Sequence, residues 1–311
     1  MGAQIESGEA SLDASRWRSP ASRYSEMAKL NLQSSSLTGN PSWSRAMTNE
    51  PFFKRDGQYF VPTSACRGPW NPKSLHGRVI IGLLGFELEQ RHGDPEFLPA
   101  RLTVDMYKLP GFDPIEITTK VVREGNRIRV VDAEFISGGV SMGRATCQFL
   151  KRTENPEGVI WKPLAWDVPK PADIEPPPER PMGGMWATRQ ISGGFASSEQ
   201  RRIWMSEVRE VVEGTPLTPF QRAAVACDVA SPAAHVSDQG LGYINSDVTL
   251  YLHRLPATEW IGFETTYHDA DDGVAVGECR LYDEQGPIGL ASCAALAQRR
   301  LPPPPPPKPA S

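Results

Sequence analysis

Asp228 is the carboxylate whose setting invites chemistry. It stands in Ala223-Ala-Val-Ala-Cys-Asp-Val-Ala230, late in an otherwise apolar helical run. Burial and the negative end of a helix dipole both oppose its charge there. A charge kept where it is costly points to function; the alternative is a polar helix end turned to solvent. The five histidines, at 76, 92, 235, 253 and 268, are too scattered to suggest a metal triad, so no metal is expected. The five cysteines, at 66, 147, 227, 279 and 293, lack any Cys-x-x-Cys pair and mostly sit in apolar runs. They read as reduced thiols of a cytoplasmic protein, with Cys147 and Cys293 as core residues rather than nucleophiles.

The elements that must position such a carboxylate come in two sets. Leu102-Thr-Val-Asp-Met-Tyr-Lys-Leu-Pro110 matches Val248-Thr-Leu-Tyr-Leu-His-Arg-Leu-Pro256 at an offset of 146 residues, and Gly143-Arg-Ala-Thr-Cys147 falls on Gly289-Leu-Ala-Ser-Cys293 at the same offset. One ungapped offset at both ends of the block implies two copies of one unit. In each copy a strongly apolar helix precedes alternating strands: Val79 to Gln90 and then Leu102, Ile115, Ile128 and Gly143 to Leu150 in the first. In the second, Thr218-Pro-Phe-Gln221 forms a capping box, a helix over Ala223 to Ala230 is expected to end at Pro232, and strands follow at 248–254, 260–267, 274–282 and 288–297. One helix before a run of antiparallel strands is an α+β arrangement in which the sheet wraps the helix.

Eight of the 30 prolines lie between Pro156 and Pro181 and seven between Pro302 and Pro309, marking a semi-rigid connector and a polyproline tail. Residues 1–46 hold 11 serines with little apolar periodicity and are expected to be disordered. The expected organisation is a Ser-rich tail (1–46), a first unit (47–152), a connector (153–197), a second unit (198–300) and a tail (301–311).

With a formal charge of −4 and a pI near 5.8, the chain is not a generally basic nucleic-acid or membrane-surface binder. The uncharged stretch between Glu284 and Arg299 is 14 residues, too short to span a bilayer, and the start lacks the apolar core of a signal peptide.

Arg67-Gly-Pro-Trp70 followed by His76-Gly77 at a helix entry, Gly125-Asn126 in a turn, Ile244 to Arg254, Leu281 to Gly286 and Gly289 to Ser292 resemble the acyl-CoA thioesterase II type and its bacterial thioesterase-like relatives, which are double-hotdog proteins. The resemblance covers about residues 50 to 300. It implies a double hotdog, an antiparallel sheet wrapping central helices. It also implies hydrolysis of an acyl-CoA or acyl-carrier thioester in fatty acid metabolism, without a cofactor beyond the CoA of the substrate and with homo-oligomers possible in the family.

For the site, the resemblance implies that Asp228 orients and deprotonates water while amides at the first helix entry hold the oxyanion. His76, Gly77 and Arg78 occupy that entry, where Gly77 either admits the carbonyl or only lets the chain turn. Asn245 falls where the family places a water-holding Thr or similar residue, and Ala295, or Ala294 if the register slips by one, falls where it places a Gln. The position 146 before Asp228 is Gly82, which implies a first half without a carboxylate and one site per chain. His253-Arg254, Lys151-Arg152 and Arg299-Arg300 are solvated ends or contacts for a CoA phosphate. Two other functions remain open: an acyl-binding protein without turnover, suggested by Ala295, and a hydratase or dehydratase, which wants an Asp-x4-His spacing that neither helix shows.

Overall fold

Gly77–His92 forms α1, and its side chains from Arg78 to Leu88 are all buried, as a run apolar around its whole circumference requires. The structure, a computed structural model, describes residues 50–71, 73–177, 186–194 and 197–298. The tails expected at 1–46 and 301–311 lie outside the described residues.

The first half contributes β1 (Phe53–Asp56), β2 (Tyr59–Pro62), α1, β3 (Phe97–Met106), β4 (Ile115–Glu124), β5 (Ile128–Ser137) and β6 (Val140–Lys151). The second contributes β7 (Ala187–Ser192), β8 (Arg202–Ser206), α2 (Pro219–Ala226), a 3₁₀ turn (Cys227–Val229), α3 (Ala230–His235), β9 (Val236–Ser237), β10 (Gly240–Leu241), β11 (Tyr243–Asn245), β12 (Asp247–Leu252), β13 (Ile261–Asp271), β14 (Val274–Asp283) and β15 (Gly286–Ala297).

Among the described residues, thirteen of these strands form one antiparallel sheet in the order β1-β2-β4-β5-β6-β3-β12-β15-β14-β13-β8-β7, with β11 on β15. The second half of that order mirrors the first. The 146-residue offset holds in the ladders themselves. Thr103 faces Thr146 as Thr249 faces Ser292, Val131 faces Cys147 as Gly277 faces Cys293, and Glu116 faces Ile136 as Gly262 faces Tyr282. This is the double hotdog. One core, holding Leu102 and Val104 with Val248 and Leu250, runs across the seam. Gly138 and Gly139, both at positive φ, make the tight β5–β6 turn.

The two central helices run antiparallel and approach through small residues. A Cβ on Gly82 would lie 2.7 Å from Val225 Cγ2, and one on Gly85 would lie 3.0 Å from the Ala224 Cβ. Gly82 is therefore a contact position between helices.

Two expectations need correcting. The second helix does not stop at Pro232: it loosens into the 3₁₀ turn at Asp228 and resumes as α3, with Pro232 in its first turn. Proline has no N–H for the carbonyl four residues earlier, which is that of Asp228, so the ladder is weak at the carboxylate itself. The connector is also shorter than its composition suggests, because Ala187–Ser192 is a strand paired with β8. Part of the rest is pinned to the sheet: Trp204 Nε1 donates to Pro169 O at 3.0 Å, and Trp166 stacks on Tyr282 with ring centroids 4.1 Å apart. Aromatic anchors of this kind offset the ordering cost that proline richness already reduces.

Candidate active site

The start of α1, from the first half, meets the 3₁₀ turn of the second. His76 is the N-cap residue of α1, and its Nδ1 accepts the Arg78 N–H at 3.2 Å. Asp228, which is 7% exposed, brings Oδ2 to 3.3 Å from the same nitrogen. Nδ1 thus stands between a donor and a carboxylate: neutral, it caps the helix, and protonated, it pairs with Asp228. A Cβ on Gly77 would lie 3.0 and 3.1 Å from the two Asp228 oxygens, so only glycine leaves the carboxylate this close to the helix end. The positive end of the α1 dipole favours the charge that the apolar surroundings oppose.

Asn245, on β11, donates from Nδ2 to Asp228 Oδ1 at 3.2 Å and to Asp247 O at 3.3 Å. Directly across the ladder from Asn245 is Ala295, 3% exposed. Partners in an antiparallel pair point to the same face, so Ala295 shares the face from which Asn245 reaches Asp228.

The Arg78 amide is engaged by the His76 ring, which counts against its service as an oxyanion donor. Gly77, as the first helical residue, has an amide with no intrahelical acceptor. The Arg78 side chain anchors the helix instead. It is fully buried, with Nη1 2.7 Å from Glu207 Oε2 and its guanidinium 4.1 Å from the Trp186 ring. Burial pulls its pKa down to about 10, against the opposing pull of Glu207. Glu207 Oε1 in turn accepts from the Arg209 amide and Nε at 3.0 and 2.9 Å.

Sequence spacing could not reveal that His76 and Asp228 meet, nor that Trp186 packs edge-on to His76 with centroids 6.3 Å apart. Asp247, whose backbone carbonyl accepts from Asn245, carries no such signal in the sequence either. Burial holds its carboxyl above the usual range, while the Ala294 amide, donating to Oδ1 at 2.8 Å, favours the ionised form.

The first half does carry a carboxylate at the matching place, contrary to the inference from Gly82. Glu89, near the end of α1, sits at the start of α2, where its Oε2 accepts from Thr218 Oγ1 at 2.6 Å and Gln221 Nε2 at 2.8 Å. Its pKa is raised by burial, with those two donors opposing. The N-caps His76 and Thr218 are 218 − 76 = 142 residues apart, so the 146-residue register of the strands does not extend to the helices.

Gly139-Val-Ser-Met-Gly143 has the Gly-x-Ser-x-Gly spacing of a serine-hydrolase elbow, but it occupies a hairpin turn and the start of β6, whereas an elbow joins a strand to a helix. Cys293 is 3.5 Å from His235 Nε2, yet burial pushes its thiol up to about 12, so it stays protonated at neutral pH. Among the described residues no three His, Cys, Asp or Glu side chains gather as metal ligands, and no helix is long and apolar enough to cross a membrane.

Residues 66–150 match the family model of the acyl-CoA thioesterase N-terminal domain, and 165–296 match that of the acyl-CoA thioesterase C-terminal domain, together more than half of the chain. The chain belongs to the acyl-CoA thioesterase family. Solved structures share the fold of this family member at low identity. A tesB protein of Mycobacterium avium subsp. paratuberculosis is 14% identical, with 84% of this chain and 100% of that one covered at a TM-score of 0.60. A hot dog fold protein from Alicyclobacillus acidocaldarius is 17% identical, covering 82% and 99% at 0.65. The acyl-CoA thioesterase II TesB2 of Mycobacterium marinum is 12% identical, covering 82% and 98% at 0.53. No curated protein matches the chain.

Proposed function

We propose that this chain hydrolyses acyl thioesters through water activated by Asp228. The observation that carries the reading is the seating of Asp228, from the second half, on Gly77 at the start of α1 from the first, with Asn245 bonded to the carboxylate. In the proposed reaction Asp228 accepts a proton as the water oxygen attacks the acyl carbon, and Asn245 orients the carboxylate. The Gly77 amide and the helix dipole favour the oxyanion that develops. Collapse breaks the C–S bond, and the departing thiolate takes back the proton that Asp228 received.

Release of free thiol from a series of acyl-CoA chain lengths, followed with a thiol-reactive chromophore, tests this. Asp228→Asn should lower turnover by about two to four orders of magnitude with the fold intact, the usual contribution of a general base. Undiminished turnover would place the base elsewhere. A wild-type protein that binds acyl-CoA without releasing thiol would instead be an acyl-binding protein, the reading that Ala295 favours.

A second enzymatic reading gains support from one contact. Hydration of an enoyl thioester wants a carboxylate beside an imidazole, and His76 supplies across the seam what neither helix holds alone. Loss of enoyl-CoA absorbance without thiol release would favour it.

A further inference from the structure

The edge strand β7 brings Trp186 to the start of α1. Ala187 pairs with Ser206 and Thr188 with Met205, so Trp186 stands next in the same register, level with Glu207. It is partly buried against the core. Its ring lies 4.1 Å from the Arg78 guanidinium and stands perpendicular to the His76 ring, at 89° with centroids 6.3 Å apart. The sequence neighbours of Gly77 on both sides therefore pack against one indole.

Each contact uses a different property of the ring. The electron-rich face suits a guanidinium, and the attraction is strongest where water is excluded. Arg78 is fully buried, with the Phe52 ring 5.0 Å from the same guanidinium and Glu207 Oε2 2.7 Å from Nη1. A perpendicular pair of rings is a favoured aromatic geometry, and here it restrains an imidazole whose side chain is 14% exposed. The chemistry at the helix end depends on that restraint. The His76 Nδ1 that accepts the Arg78 amide at 3.2 Å lies 3.3 Å from Asp228 Oδ2. Gly77 has no side chain to pack, so its place beside the carboxylate is set by the residues on either side of it. Trp166 makes comparable ring contacts with Tyr282 and Trp204, at the end of β14 remote from Ala295.

We propose that Trp186 is a positioning residue for the hydrolytic site, a clamp on His76 and Arg78 that holds the Gly77 amide and the His76 ring in place against Asp228. The proposal rests on the thioesterase reading and adds to it a residue that acts through its neighbours. It also gives β7 a function. That edge strand, made of half-buried and exposed positions, sets the depth at which the indole sits. With its Nδ1 accepting from the Arg78 amide, a neutral His76 carries its proton on Nε2. Loosening the clamp should let the ring exchange between its two tautomers.

The test uses the full chain with Trp186→Leu, Trp186→Phe and Trp166→Leu, read by thiol release from acyl-CoA and by nitrogen NMR spectra of labelled histidine. Trp186→Leu keeps apolar bulk without a ring. It should lower kcat roughly tenfold, inside the about 100-fold that a 1 Å misplacement costs, with KM little changed. Trp186→Phe restores a ring face and should recover most of that loss. Trp166→Leu should lower the melting temperature and leave kcat as it is. In the spectra, His76 should show the Nε2–H tautomer alone in the wild type and a mixture with the Nδ1–H form in Trp186→Leu. An unchanged kcat in Trp186→Leu, a loss that phenylalanine does not reduce, an equal loss in Trp166→Leu, or a defect confined to KM overturns the proposal. If the leucine variant does not fold, Trp186→Met, flexible and apolar, takes its place in the same comparison. If the wild type releases no thiol, the thioesterase reading fails while the clamp remains testable: mixed His76 tautomers in Trp186→Leu uphold it, and a single unchanged tautomer overturns it.

Discussion

Thr249 Oγ1 donates to Thr103 Oγ1 at 3.2 Å, across the ladder that, among the described residues, joins the two halves, and the pair are repeat equivalents 146 residues apart. On either side Leu250 faces Leu102 and Val248 faces Val104, so the equivalents are exchanged about this point, as an antiparallel twofold demands. The seam is thus the middle of the sheet. The same twofold relates the two helix starts, which explains why Asp228 lies against α1 while Glu89 lies against α2. The halves interlock further where Phe52 N donates to Glu210 O at 3.0 Å and Phe53 N to Val211 O at 2.9 Å.

Breaking the buried Arg78–Glu207 pair should be costly. Both side chains are fully inside, and removing one partner strands the other charge. Glu207→Gln should lose roughly 3–5 kcal/mol in urea unfolding. Glu213→Ala, which removes the exposed partner of Lys54, should lose less than about 1 kcal/mol. Equal effects from the two would show that the buried network does not anchor α1.

Much of this arrangement was legible in residues alone. Alternation located the strands β3 to β6 and β12 to β15, since one-sided burial imposes a period of two, and the repeat offset located the seam. The short edge strands were not legible: Ala187-Thr-Arg-Gln-Ile-Ser192 has only half-buried and exposed positions and follows a proline-rich stretch. At the site, Asp228 stood out because its neighbours are apolar, and Gly77 because it precedes an apolar helix. The meeting of His76 and Asp228 is set by the helix crossing, where Gly82 and Gly85 fit Val225 and Ala224, and Trp186 reaches it from the segment before β7. No local pattern encodes that fit.

Gly77→Ala should separate site from fold. Its Cβ would press on both Asp228 oxygens, while alanine suits the helix at least as well as glycine. Displacing the carboxylate by a few tenths of an ångström should lower thioester turnover, by less than the about 100-fold that a 1 Å misplacement costs. The melting temperature should hold or rise slightly. A fully active Gly77→Ala would dissociate Asp228 from the chemistry at the helix start.

His235 makes stability depend on pH. It is 3% exposed, its Nδ1 is 3.0 Å from His268 Nδ1, and burial, with His268 second, pushes its pKa down from 6.5 to about 4. Between those values the unfolded chain binds a proton that the folded chain does not, so stability rises with pH through the window and is lost as pH falls from about 6.5 to about 4. The full difference is at most about 3 kcal/mol. Melting curves of the wild type and His235→Gln at pH 7 and pH 4.5 check this: the gap between them should shift in favour of the variant at the lower pH. Asp247 and Glu89, whose raised pKa values act in the opposite direction, are common to both proteins and cancel.

Ala295→Gln tests whether the missing amide limits the reaction. Ala295 pairs with Asn245 in register, on the face from which Asn245 reaches Asp228, so a longer side chain there projects toward the carboxylate. Glutamine brings one acceptor and two donors, enough to give a bound water a protein partner besides Asp228. It also brings volume into a position that is 3% exposed, and overpacking costs about 1–3 kcal/mol. Ala295→Leu supplies similar bulk without the amide and isolates the two effects. Both variants should melt a few degrees lower than the wild type. Only the glutamine variant should gain in kcat for thioester hydrolysis, and that gain should vanish when Asp228→Asn is added, because the water it holds would then have no base. A gain shared by the leucine variant, or one that survives loss of Asp228, would mean that position 295 acts by reshaping the pocket instead of by holding water.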